Sequence, residues 1–199
     1  MISYNKLVTL RAPEPSDLDM LYELENDSSA WETGCTAAPV SRDLLRRYIE
    51  SAETDITATR QLRLMIVSRE SHETVGAVDM FNVDILNRRA EIGIAVTAAH
   101  RRRGYALKAL AAIAAYGRRY LGLHQLYATI ASDNAASRAL FARAGYKTSG
   151  RLQSWLLRRD GVYEDAYICQ LMLTRPATDN KTPGHLTCLL YTSDAADDL

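Results

Sequence analysis

No excess of either charge marks this chain: 24 Lys and Arg face 24 Asp and Glu over 199 residues. Without a global positive field to draw it to nucleic acid, any basic cluster acts locally. Cysteine is scarce. Cys35, Cys169 and Cys188 are odd in number and far apart, which argues against a disulfide scaffold and against the close pairs of zinc or redox motifs; no metal is expected, and reduced cytosolic thiols fit, with Cys169 in the core. A long apolar run is missing as well. The most apolar helical stretch, ALKALAAIAAYG, is short and carries Lys108, so neither a bilayer span nor an export leader is expected, and the protein is expected to be soluble and cytoplasmic. Neither GxGxxG nor GxxxxGK[ST] occurs, against a dinucleotide or nucleoside-triphosphate enzyme. What is present is a chain 47% hydrophobic, enough for one domain with a full core.

Hydrophobic rhythm divides that chain into elements. LVTLR (7–11) alternates as a first strand; after Pro13 and Pro15, Ser16 with Asp19 reads as a capping-box start to the helix DLDMLYELEND. Ser41 is placed to cap a second helix, DLLRRYIESAE, with Leu44, Leu45, Tyr48, Ile49 and Ala52 on one face. Between them lies the irregular DSSAWETGCTAAPV. RLMIVSRESHETVGAVDMFNVD and RAEIGIAV read as a three-strand meander. From Gly104 the period becomes helical, with Leu107, Leu110, Ala111, Ala114 and Leu121 on one side. The strand HQLYATIA, the helix AASRALFARAG stopped by Gly145, and two strands between Lys147 and Leu173 complete the order. The expectation is one domain over 1–173 and a polar, disordered tail over 174–199, whose CLLYTSDAADDL resembles translated sequencing-adapter read-through and is expected not to be native.

One cluster stands out against the neutral balance: HRRRGYA, residues 100–106, directly after a strand and at the start of a helix. A helix beginning there aims unpaired N–H groups and the positive end of its dipole into the loop, which makes an anion site. Gly104 and Ala106 leave the backbone uncovered for phosphate oxygens, and Arg101, Arg102 and Arg103 add charge at the rim.

Arg101-x-x-Gly104-x-Ala106 after RAEIGIAV resembles the [Q/R]-x-x-G-x-[G/A] acetyl-coenzyme A signature of the GNAT superfamily of N-acetyltransferases. The resemblance continues through Asp133 and Asn134, then Ser137 to Phe141, then Ala144, Gly145 and Tyr146. It covers roughly residues 7–173, and VGAVDM to RRAEIGI is most similar to bacterial spermidine/diamine and ribosomal-protein N-terminal acetyltransferases. The resemblance implies a mixed α+β, GNAT-like fold: a largely antiparallel sheet of about seven strands and about four helices, splayed between the fourth and fifth strands. It further implies acetyl-CoA as acetyl donor, held at Arg101 to Ala106 including Tyr105, with Asn134, Ser137 and Phe141 lining its arm. Backbone N–H groups of Ile94, Ala95 and Val96 would receive a developing oxyanion. Asn134 could equally cap its helix.

Acetyl transfer also needs a neutral amine. Alternation puts Glu91 on a face with Gly93 and Ala95, opposite Ile92, Ile94 and Val96, an uncrowded place for a carboxylate that deprotonates the acceptor; pairing with Arg88 or Arg89 is the structural alternative. Asp79 is a second acidic candidate on the amine side. Trp31, Trp155 and Glu32 are candidates for the acceptor pocket, and only Asp27 and Glu32 make the 27–40 loop acidic. Many polyamine-acetylating relatives carry a tyrosine where Phe141 stands, so the usual acid is missing; Tyr105, Tyr127 and Tyr146 are neighbouring hydroxyls whose expected use is packing.

The expected function is acetyl transfer from acetyl-CoA to a primary amine, either a small polyamine or diamine or a protein N-terminal amine. The alternatives are a CoA-binding sensor or inactive relative, and an RNA-binding module, which the zero net charge disfavours. Neither nucleic acid nor membrane is an expected partner. The sequence leaves the oligomeric state open, a homo-oligomer included.

Overall fold

Strands supply the frame on which every candidate residue is hung. The computed structural model describes residues 5–27, 38–51, 56–158 and 160–173. Within them, β1 (Val8–Arg11), β2 (Leu62–Ser68), β3 (Thr74–Asp84), β4 (Arg89–Val96), β5 (Gln125–Ala131), β6 (Lys147–Leu157) and β7 (Tyr163–Met172) form one sheet in the order β1-β2-β3-β4-β5-β7-β6. Every neighbouring pair is antiparallel except β4 and β5, which run parallel. The meander is β2, β3 and β4.

The helices among the described residues are α1 (Leu18–Glu25), α2 (Arg42–Glu50), α3 (Ile56–Thr59), α4 (Tyr105–Arg119) and α5 (Ala135–Arg143). The sequence reading lacks α3, a single turn pinned to the core by Ile56. Side chains alternate between the two faces of a strand, and each face gathers its own helices. Val78, Met80, Ala90, Ile92 and Leu126 pack with Leu110 and Ile113 of α4 and Phe141 of α5; Met65 and Ala77 pack with Leu21, Leu45 and Ile49 of α1 and α2.

Local signals hold in part. Ser41 caps α2, its Oγ accepting from the N–H of Leu44 at 3.1 Å, but among the described residues of the expected face only Leu45 and Ile49 are buried, while Leu44 is 53% exposed. Ahead of α1 the capping box uses Glu14 and Asp17 rather than Ser16 and Asp19. Asp17 is 2% exposed and grips Arg11 at 2.5 and 2.8 Å and Thr74 at 2.8 Å, so a tertiary ion pair sets where the turn begins. On α4 the buried side is Tyr105, Ala109, Leu110, Ala112, Ile113 and Gly117, rotated from the expected stripe. In a helix so rich in Ala and Leu, the bulk of Tyr105 and Ile113 decides which side faces in.

Candidate active site

β4 and β5 begin side by side and then part. Their register comprises Arg89 with Gln125, Ala90 with Leu126 and Glu91 with Tyr127, although β4 runs on to Val96 and β5 to Ala131. Beyond the last rung β4 stays paired with β3, and β5 with β7. Each strand follows its antiparallel partner, and a gap opens between them.

Main-chain direction along β4 tells which groups line that gap. The carbonyl of Arg88 accepts from the N–H of His124 and of Gln125 on the β5 side, whereas the N–H of Thr97 donates to Val75 on the β3 side. Alternation therefore turns the amides and carbonyls of Ile92, Ile94 and Val96 into the gap, and those of Glu91, Gly93 and Ala95 towards β3. Of the expected donors, Ile94 and Val96 face the gap and Ala95 faces Ala77. The carbonyl of Val96 already accepts from Nε of Arg101 at 3.1 Å.

Gly76 holds the end of β4 against β3. A Cβ there would lie 2.2 Å from the Ala95 carbonyl oxygen, so no larger residue permits that approach.

The basic loop leads from this strand end into α4. Arg101 ties back to Val96 and reaches Asp27 at 3.2 Å. Arg102 and Arg103 are exposed, and Arg102 holds φ +65°. Gly104 is the N-cap of α4 at φ +84°, with no side chain capping the first turn. The first helical bond is from Lys108 N–H to the Gly104 carbonyl, which leaves the N–H groups of Tyr105, Ala106 and Leu107 pointing out of the helix mouth. A cradle of open amides, a helix dipole and two exposed guanidiniums fits a diphosphate. Tyr105 contributes only its main chain, because its ring is 8% exposed in the core with the hydroxyl 3.4 Å from Ser68 Oγ.

Because β4 and β5 are parallel, the loops after both leave from the same end of the sheet, where the gap is open. At the second loop Asn134 is the N-cap of α5, its Oδ1 accepting from the N–H of Ser137 at 2.9 Å. The cap therefore uses its carbonyl end. Phe141 is buried and packs edge-on against Tyr146 at 4.9 Å between centroids. Burial pushes the Tyr146 phenol well above its ordinary range, and its hydroxyl has no hydrogen-bond partner among the described residues. Neither ring is placed to release a proton near neutral pH.

On the opposite face, the one that carries α1 and α2, two acidic residues differ. Asp79 places both carboxylate oxygens on Arg63, at 2.7 and 2.9 Å, and Arg63 also reaches Glu25 at 2.5 Å. Burial works against the Arg63 charge, but the bonds from Asp79 and the charge of Glu25 outweigh it and hold the guanidinium protonated. Glu91 instead accepts a neutral hydrogen bond from Nδ2 of Asn82 at 2.9 Å. The arginines considered for it are used elsewhere: Arg89 pairs with Asp84 at 3.2 Å, and Arg88 donates to the Gly122 carbonyl at 2.7 Å.

Trp31 and Glu32 lie outside the described residues. Trp155 is on β6, 59% exposed and separated from β5 by β7, so it does not join Glu91. Two residues beside Glu91 have no part in the chemistry in the sequence reading, where Tyr127 is expected only to pack. Asn82 sits where the β3–β4 register shifts, and an asparagine inside an alternating strand is the one signal for it. Tyr127 faces Glu91 across the last β4–β5 rung, a pairing that only the sheet creates. Among the described residues no group of His, Cys, Asp and Glu could hold a metal ion, and no helix is long and apolar enough to cross a membrane.

Comparison with known proteins agrees with this geometry. Residues 8–147 match the family described as Acetyltransferase (GNAT) domain. The chain is 30% identical over 105 residues to the uncharacterized N-acetyltransferase YoaA of Bacillus subtilis, a match spanning 53% of this chain and 59% of that one. It is 24% identical over 181 residues to the spermidine N(1)-acetyltransferase of Escherichia coli K12, spanning 89% and 92%. Among solved structures, the spermidine N-acetyltransferase of Vibrio cholerae in complex with CoA and spermine superposes with a TM-score of 0.75 at 22% identity, covering 85% of this chain and 97% of that one. A dodecameric structure of the Vibrio cholerae enzyme gives 0.71 at 21%, covering 89% and 100%. With 140 consecutive positions, from β1 through β5 with the basic loop and α1 to α5, inside one family match, the chain belongs to the GNAT acetyltransferases, enzymes that take their acetyl group from acetyl-CoA.

Proposed function

We propose that this protein acetylates a small di- or polyamine, with Glu91 as the group that removes the proton from the acceptor. The observation that carries this reading is the place of Glu91: a carboxylate at the closed end of the β4–β5 gap, paired with a neutral amide instead of a cation. When bound, acetyl-CoA supplies a thioester-activated acetyl group. The open N–H groups of Tyr105, Ala106 and Leu107 would hold its diphosphate, with Arg102 and Arg103 at the rim. The main-chain N–H of Ile94 faces the gap beyond the last β4–β5 rung. Such a donor, aimed at an oxygen that gains charge, contributes about 3 to 4 kcal/mol.

An amine with pKa about 10.4 is only about 0.04% neutral at pH 7, a handicap of roughly 4.6 kcal/mol. Glu91 offsets it by accepting the proton directly or through a water. Phe141 is compatible with turnover, because a thiol of pKa about 8.5 leaves as thiolate at pH 7 for about 2 kcal/mol. The polyamine reading also draws on the spermidine acetyltransferases among the relatives.

The test is thiol release from acetyl-CoA in the presence of spermidine, putrescine and a peptide with a free N-terminus. Turnover on the first two supports the proposal. Turnover on the peptide alone moves the acceptor to protein N-termini, and cofactor binding without turnover on any amine leaves the sensor reading.

A further inference from the structure

We infer that Asn82 and Tyr127, one from each strand flanking β4, are positioning residues that fix the Glu91 carboxylate towards the acceptor; the inference rests on the base role proposed above for Glu91. On the β3 side the sheet is interrupted for the purpose. The register slips between Phe81 and Asp84, and Asn82 adopts φ +50°, a left-handed conformation that asparagine tolerates better than most residues. Such a bulge re-aims a side chain out of the ladder. Here it aims the carboxamide, whose Nδ2 donates to Oε2 of Glu91 at 2.9 Å.

On the β5 side Tyr127 is the direct partner of Glu91 on the last rung before the strands separate. Paired residues share a face, so the phenol stands beside the carboxylate. Unlike Tyr105 and Tyr146, Tyr127 is not part of the buried core. Burial first, then the Glu91 charge and a side-chain hydrogen bond with Glu91, push the phenol above its ordinary value, against Arg89 and Asn82. It therefore remains a neutral donor at neutral pH.

The charged groups near Glu91 are few. Arg89 on its own strand is bound to Asp84 of β3, and on β7 Gln170, opposite Tyr127, bonds to Gln125 at 2.8 Å. A carboxylate has about four acceptor sites. A neutral donor on one side and a neutral phenol beside it on the other restrict its rotamer, leave lone pairs for the ammonium proton, and add no fixed cation to compete with the substrate. A purely structural carboxylate on this sheet looks different, as Asp79 with Arg63 demonstrates.

The experiment compares Tyr127→Phe, Asn82→Gly and Glu91→Gln with the unaltered protein, using spermidine and acetyl-CoA. Glycine at 82 keeps the left-handed backbone and removes the side chain that carries the carboxamide. Tyr127→Phe and Asn82→Gly should each lower kcat about tenfold, the loss of one hydrogen bond to a charged group. The KM for acetyl-CoA and the melting temperature should stay near their original values, and a structural role would move the melting temperature instead. Unchanged kcat in both variants, with Glu91→Gln inactive, overturns the inference and leaves the base assignment standing. Full activity in Glu91→Gln overturns both.

Discussion

Asp79 and Glu91 are acids on the same face of adjacent strands, opposite Gly93 and Phe81 respectively, and their surroundings make them different groups. Asp79 meets a half-buried arginine that uses both its oxygens and a second acid besides. Glu91 meets an amide and a phenol at the point where the sheet opens. A carboxylate saturated by a guanidinium serves the fold, and one held by a neutral donor beside a gap can still accept a proton. Sequence neighbourhood does not separate the two, since each is flanked by apolar residues in an alternating strand.

The sharpest way to break that contrast is Glu91→Gln against Asp79→Asn. Glu91→Gln should lower kcat/KM about 100- to 1000-fold with little change in melting temperature, the span of a positioned base; Asp79→Asn should show the reverse ordering, a larger loss of stability than of rate. Equal activity losses would mean that both acids touch the acceptor. Next in size is Arg63→Ala, which removes the guanidinium that Asp79 and Glu25 share and should cost about 2 to 3 kcal/mol of unfolding free energy in urea, below the value for fully buried pairs because the site is partly exposed. A smaller effect is expected on the cofactor side. Gly104→Val should weaken CoA binding about tenfold by calorimetry, since the left-handed φ of +84° costs a β-branched residue about 1 to 2 kcal/mol, while the fold persists. Unchanged affinity would remove the helix mouth from the cofactor site.

The smallest effect is a pH slope. At Asp17 burial favours the neutral form, but bonds from Arg11, the Glu14 N–H and Thr74 outweigh it and hold the folded carboxyl below its ordinary value near 3.8. A depressed folded value means stabilisation that is fully present above about 3.8 and lost as the pH falls through the folded value. Melting temperature measured from pH 5 to 2 should therefore fall less steeply in Asp17→Asn than in the original protein.

Much of the proposed phosphate side was readable in the sequence, because it depends on local order: a strand, three arginines, a glycine and a helix in succession fix where open N–H groups point. The N-caps at Ser41 and Asn134 follow from the same local rule. The acceptor side was readable only in its central residue. Glu91 and its uncrowded face follow from alternation, but Asn82 reaches it through a register shift and Tyr127 through a parallel pairing 36 positions away in sequence. Neither leaves a periodic trace. Likewise the capping box moved to Glu14 and Asp17 because Arg11 and Thr74 claimed Asp17 from other strands.

By itself the order of residues determined the elements, their hydrophobic faces and the anion-seeking loop, since these depend on neighbours within a few positions. Only the tertiary structure decided where β4 and β5 separate, which amides face that gap, and which of two similar acids was left without a cation. Those outcomes depend on which antiparallel partner each strand follows, a competition among distant segments that is settled when the sheet assembles.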